Sequence, residues 1–353
     1  MRLVIFGLTV SSSWGNGHAT IWRGLCKALG RAGHQVTFFE RDVPYYARHR
    51  DLCHTSEYEL ILYESWRDLE PVARAAVKES DCAILTSYCP DAPAAADLIL
   101  ELSVEHVFYD LDTPVTLERL RQQQEVEYLP SYGLKPFDLV LSYTGGQALE
   151  ELKLRLGARR VAALYGSADP ASHKPVTPSS LYSADLSYLG TYAHDRQGQL
   201  DKLFLQPARS SPQKRFLIGG ALYPSNFPWS ENVFFVPHVP PPEHPAFYSS
   251  SKLTLSVTRG AMAKMGYCPS GRLFEAAACG TPVISDDWEG LEHFFEPGRE
   301  ILVASGASEV NEALAFDQQK RSEIATAARE RVFAEHTAEH RATELVELLE
   351  GAA

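Results

Sequence analysis

The chain has 353 residues, a length suited to two average domains, each large enough to bury its own core. Hydrophobic residues make up 45% and charged residues 22%, with 16 Tyr and 16 Phe, the composition of an ordered globular protein. A formal charge of −12 without a Lys/Arg cluster argues against nucleic acid as a partner.

In chain order, apolar runs of strand length alternate with helical patterns, which predicts βαβ units and parallel sheets in place of a sandwich or bundle. The opening "RLVIFGL" reads as a first strand, and its apolar run of about seven residues is too short for a signal-peptide core or a transmembrane segment. A polar, Gly-rich loop follows, then "ATIWRGLCKALGRAGH" with helical periodicity and Gly33 as its stop, then the strand "QVTFFE". Further strands are expected at "CAILTSY", "EHVFYD", "DLVLSY" and "RVAALYG", the last preceded by the helix "GGQALEELKLRLGA". Residues 1–166 thus read as one Rossmann-like domain. The Pro-, Ser- and Gly-rich "GSADPASHKPVTPSS" predicts a linker with few contacts over residues 167–183. A second doubly wound domain, residues 184–330, is expected from "ADLSYLGTY", "RFLIGG", "NVFFVPHV", "KLTLSVT", "TPVISDD" and "EILVA". Residues 331–353 are expected to form a helix that crosses back toward the first domain. Cys26, Cys53, Cys82, Cys89, Cys268 and Cys279 show no CxxC spacing; they read as reduced thiols of a cytoplasmic protein and signal no zinc site.

In an open α/β sheet, ligands collect beyond the carboxyl ends of the strands. The stretch "SGRLFEAAACGTPVIS" starts a helix there, with Ser270 placed to cap it. Its first N–H groups, Gly271 allowing close approach and the planar donor fork of Arg272 together suit a diphosphate. Glu275 shares a face with Arg272 and offers two acceptor oxygens to a vicinal ribose diol; the competing reading is an i,i+3 ion pair between the two. Arg259, ending the strand "TLSVT", adds a second cation for a leaving diphosphate.

In the first domain, "WGNGHAT" presents Gly15, Asn16, Gly17 and His18 after a strand, as phosphate or acceptor contacts with His18 a possible base; the competing reading is a helix cap with a surface His18. The same loop followed by Glu40 fits a dinucleotide fingerprint poorly, since Thr20 stands at the third Gly position. Asp110 and Asp112 in "YDLDTP" read as ligands of acceptor hydroxyls or an Asx-turn before Pro114, in preference to a metal pair. Thr144, Gly145 and Gly146 also follow a strand and read either as lining the cleft or as an ordinary helix start.

The segment "FEAAACGTPVISDDWEGLEHFFEPGREILVA" resembles the nucleotide-sugar-binding segment of GT-B glycosyltransferases. Through "SSSWGNGHAT", "FYDLDTPVTL", "YGSADPASHKP", "YLGTY" and "HPAFYSSSKLTLSVTR" the chain is similar to the spore maturation protein CgeB-like glycosyltransferases. The resemblance implies an α/β chain of two facing Rossmann-like domains (GT-B architecture), with the active site in the cleft, donor on the C-terminal domain and acceptor on the N-terminal one. It implies no required metal and no cofactor beyond the donor substrate. It further implies that the turn Pro237, His238, Val239 lies near the base and that Glu275 meets the ribose. Many retaining GT-B enzymes carry Glu-x7-Glu, whose second Glu aligns with Glu275; Tyr267 stands at the first position here.

The activity implied is hexosyl transfer from a nucleotide diphosphate sugar, UDP favoured, to an unidentified glycan, small molecule or protein. Retention of configuration is expected, because Ser270, Gly271, Arg272 and Arg259 supply what a front-face transfer asks of the protein, with His18 assisting. Two alternatives stay open: a GT-B-like nucleotide-sugar epimerase, and an inactive nucleotide- or sugar-binding protein.

Overall fold

The computed structural model describes residues 1–52 and 54–351. The chain divides into two compact units, one of Met1–Tyr165 together with the segment from Ala338 onward, the other of Gly166–Thr337.

The first unit is a sheet of seven strands: β1 (Arg2–Gly7), β2 (Gln35–Arg41), β3 (Glu59–Tyr63), β4 (Cys82–Thr86), β5 (Glu105–Asp110), β6 (Leu139–Ser142) and β7 (Val161–Ala163). Their spatial order is β3-β2-β1-β4-β5-β6-β7, and every pairing is parallel. All residues of β4 and β6 are buried, as central strands covered by helices on both faces must be. Strand β3 was not among the expected strands; it lies at the sheet edge, where only Tyr63 of its five residues is buried, so its pattern carries little apolar signal.

The helix Ala338–Leu349 belongs to this unit, burying Leu345, Leu348 and Leu349, and its Glu339 pairs with Arg31 at 3.3 Å. The return therefore begins at Ala338 and not at residue 331, because Arg331–Glu335 complete the long helix Gln318–Glu335, where Arg331 holds Glu300. The last two positions of the expected returning helix, Ala352 and Ala353, lie outside the described residues.

The second unit carries β8 (Ala184–Leu189), β9 (Phe216–Gly219), β10 (Val233–Val236), β11 (Ser251–Ser256), β12 (Val283–Ser285) and β13 (Leu302–Val303). Their order is β10-β9-β8-β11-β12-β13, again all parallel. Leu186, Phe204, Ile218, Leu253, Leu255 and Ile284 are central to its core. The segment expected to be a linker is packed into this unit. Ala168 bridges to Thr337, the N–H groups of Val176 and Ser179 donate to the Ser249 and Ser250 hydroxyls at 3.1 and 2.8 Å, and His173 is buried. Its Pro- and Ser-rich composition marks irregular backbone whose polar groups are met by side chains, not a lack of contacts.

Cys26, Cys82, Cys89, Cys268 and Cys279 are free and buried; Cys53 lies outside the described residues. No described helix is long and apolar enough to cross a membrane.

Candidate active site

Strand order in the second unit reverses between β8 and β11, the position at which an open α/β sheet leaves a crevice beyond its strand ends. Arg272 spans that crevice. Its Nη1 donates to the Leu189 carbonyl at 2.8 Å, its Nη2 to the Val257 carbonyl at 3.2 Å and its Nε to Ser270 Oγ at 3.0 Å. The guanidinium thus ties the ends of the two diverging strands. Gly190, next to Leu189, is required by this arrangement: a Cβ there would lie 2.6 Å from Arg272 Nη1 and 2.8 Å from the Tyr188 hydroxyl.

Ser270 occupies the cap position of the helix Gly271–Ala278 but receives Arg272 Nε instead of a helix N–H. Leu273 N–H bonds back to the Ser270 carbonyl, and no acidic side chain sits in the first turn, so the N–H groups of Gly271 and Arg272 point out of an open, positive helix end.

A third arginine stands at the same place. Arg196 follows β8, donates Nη1 to the Thr191 carbonyl at 3.3 Å and keeps its buried Nε unpartnered. The Tyr188 hydroxyl, also buried and unpartnered, lies between Arg196 and Arg272; burial would raise its pKa, but the two guanidinium charges outweigh that and lower it. Two guanidinium charges meeting at one crevice describe a place for a multiply charged anion. Arg259 is less available: its Nε pairs with Asp195 at 3.3 Å, and Gly260 N–H donates to the same oxygen.

Glu275 is buried one turn into the helix, and no ion pair joins it to Arg272. Its Oε2 lies 3.7 Å from His244 Nδ1, with His173 beside both. Burial would push the Glu275 pKa up, yet the charges of His173, His244 and Arg272 hold the carboxyl at about 2. His244 Nε2 donates to the Val239 carbonyl at 3.2 Å, so the exposed Pro237, half-buried His238 and buried Val239 turn is tied through His244 to the carboxylate. Tyr267, where the first Glu of Glu-x7-Glu would stand, adopts a left-handed φ of 46° and donates its N–H to Glu289 O at 2.7 Å. Its ring fills the space where a Gly290 Cβ would be, 2.6 Å away.

In the first unit the order reverses between β1 and β4. Gly15, with φ of 61°, and Gly17 are exposed in the loop after β1, and Asn16 Oδ1 accepts from His18 N–H at 3.1 Å to start the helix His18–Arg31. His18 Nε2 lies 3.4 Å from Asp112 Oδ2, and its ring packs against Tyr88, itself at φ of 63°, with centroids 5.7 Å apart. Asp110 makes the Asx-turn: its Oδ1 accepts Asp112 N–H at 3.0 Å, while its Oδ2 is buried without a partner. Burial pushes the Asp110 pKa up to about 6. Thr144 and Gly145 are buried and Gly146 exposed; Thr144 N–H and carbonyl both bond Ser142 Oγ, which fixes the turn before the helix Gln147–Leu156. Glu40 is consumed by the loop, accepting from Thr9 Oγ1, Val10 N–H, Ser11 N–H and Ser11 Oγ, so no ribose-binding acid of a dinucleotide site remains there.

Residues 196–347 match the family described as Glycosyl transferase-like. No curated protein matches the chain in sequence. Among solved structures, sucrose-phosphate synthase from Thermosynechococcus elongatus is similar with a TM-score of 0.72 at 16% identity, over 100% of this chain and 99% of that one. Anabaena Alr3699/HepE in complex with UDP-glucose gives 0.67 at 15% identity, over 99% and 100%. An alpha-glucosyltransferase in complex with UDP gives 0.68 at 14% identity, over 99% and 100%. The fold is that of the GT-B glycosyltransferases, two α/β units each built on a parallel sheet. The family match and the fold together support a GT-B glycosyltransferase.

Proposed function

We propose that the protein is a glycosyltransferase of the CgeB-like kind that moves a hexose from a nucleotide diphosphate sugar to an acceptor hydroxyl. The observation that carries this reading is the convergence of Arg196, Arg272 and the open start of the helix Gly271–Ala278 at the β8/β11 crevice, with the ionised Glu275 one turn on. The diphosphate lies on the N–H groups and guanidiniums, and the ribose hydroxyls donate to Glu275. UDP is the favoured nucleotide, in keeping with the UDP and UDP-glucose complexes of the similar structures. As the glycosidic bond breaks, negative charge grows on the departing diphosphate; Arg196, Arg272 and Arg259 stabilise it in place, so a metal at the diphosphate is not required. In the retaining reading the donor phosphate takes the acceptor proton while His18 assists.

The His18–Asp112 contact favours a second reading, inversion, because a carboxylate that orients an imidazole is what a general base needs. Incubation with UDP-glucose and other nucleotide sugars, followed by NMR of the products, tests the proposal. Nucleoside diphosphate release with sugar transfer or hydrolysis is expected. Interconversion of the intact nucleotide sugar would mark an epimerase, and binding without turnover a binding protein.

A further inference from the structure

We propose that His173, His244 and Glu275 form a site for one divalent transition-metal ion of the zinc type, in the second unit behind the helix Gly271–Ala278. The three ligand atoms lie within 4.8 Å of one another, and His173 and Glu275 are buried while His244 is half-buried. The ligand geometry carries the argument. A carbonyl only accepts, so the 3.2 Å contact with the Val239 carbonyl puts the proton of a neutral His244 on Nε2. Its Nδ1 then presents a bare lone pair to Glu275 Oε2 at 3.7 Å, in a place where no described group donates to it. His173 Nδ1 is likewise buried without a partner.

A buried carboxylate facing two imidazole nitrogens calls for a cation among them, which is the second proton of a histidine in the metal-free site and a metal ion when one is bound. A metal-bound histidine characteristically donates its other ring N–H to a carbonyl or carboxylate, which is what His244 does. An ion equidistant from three atoms no more than 4.8 Å apart lies within ~2.8 Å of each, so inward movement of ~0.7 Å per side chain brings the nitrogens to zinc-bond length of ~2.1 Å. Two imidazoles with one carboxylate select zinc, cobalt or nickel over magnesium, and leave a fourth position for water.

The ion would hold one side of Glu275 and so set the orientation of the carboxylate. It is not the counter-ion of the diphosphate, and the inference does not rest on the donor reading. The test is zinc titration of the full chain, first stripped with a chelator, in competition with a chromogenic chelator, alongside magnesium. One equivalent of zinc and no magnesium should bind. His173→Ala and His244→Ala should each weaken zinc binding at least a hundredfold and Glu275→Gln at least tenfold, while the exposed His293→Ala leaves it unchanged. Should the alanine variants fail to fold, 15N NMR of the wild-type histidines decides the matter. With excess zinc at pH 7.5, His244 should keep its proton on Nε2 and show a metal-shifted Nδ1. No zinc uptake, uptake indifferent to His244→Ala, or a His244 protonated on both nitrogens in excess zinc would each overturn the proposal; UDP affinity, measured separately, tests the donor reading.

Discussion

His18 Nε2 lies 3.4 Å from Asp112 Oδ2, and each side chain is only 15% exposed. The two residues are brought together from the loop after β1 and the turn after β5 by the Asx-turn of Asp110, which sets the direction of the chain at Asp112. A neutral imidazole that gives its Nε2 proton to the carboxylate is left with a basic Nδ1. Loss of an obligatory general base costs about 10²–10⁴ in rate. With His18 assisting, His18→Ala and Asp112→Asn are both expected to lower kcat by less than ~10², with retained product and unchanged UDP affinity. Steady-state kinetics with NMR of the product's anomeric proton checks this. A loss of ~10⁴ with an inverted product would make His18 the base.

Arg196 and Arg272 share the crevice but should fail differently. Arg272 holds two strand-end carbonyls and Ser270, and each such bond from a charged donor contributes about 1.5–3 kcal/mol. Arg272→Ala is therefore expected to lower the melting temperature as well as nucleotide affinity. Arg196 makes one backbone contact at 3.3 Å, so Arg196→Ala should weaken UDP binding and slow turnover while leaving the melting temperature nearly unchanged. Thermal denaturation beside calorimetric titration separates the two; equal loss of stability in both variants would show that Arg196 too is a clamp.

Asp110 should give the protein a pH signature. Its folded pKa, about 6, lies above the ordinary 3.8 because the carboxyl is buried, so the folded state prefers it protonated. No cost is felt below the unfolded value; the cost grows as pH rises between the two and levels off above 6, at about 3 kcal/mol. Asp110→Asn, which keeps an acceptor for Asp112 N–H, is expected to gain stability relative to wild type between pH 4.5 and 7.5. Denaturant unfolding at the two pH values checks it, and a stability difference that does not change with pH would show the carboxyl to be ordinary.

The expected strands of the second unit are all present because each is a short apolar run, although the edge strand β10 leaves Phe234 and Phe235 exposed. The helix start at Ser270 followed from the same local chemistry. What escaped were contacts set by the tertiary fold. Spacing showed Arg272 three residues from Glu275, whereas its Nη1 partner, the Leu189 carbonyl, is 83 positions away. His173 was hidden in a segment whose composition reads as linker, and His244 at the start of a short helix behind three prolines. Arg196 had a usable signal: it follows β8 as Arg259 follows β11, and the rule that selected one cation at a strand's carboxyl end selects both.

The central claim, a nucleotide diphosphate held by the helix Gly271–Ala278 with its ribose on Glu275, is tested most directly by calorimetric titration of UDP, GDP, dTDP and CDP into wild type and Glu275→Ala. The account predicts that UDP binds the wild-type chain. Removal of Glu275 should weaken that binding by about 1.5–3 kcal/mol, roughly 10- to 150-fold, with circular dichroism unchanged. Binding of none of the four nucleotides, or UDP affinity equal in wild type and a folded Glu275→Ala, would contradict it.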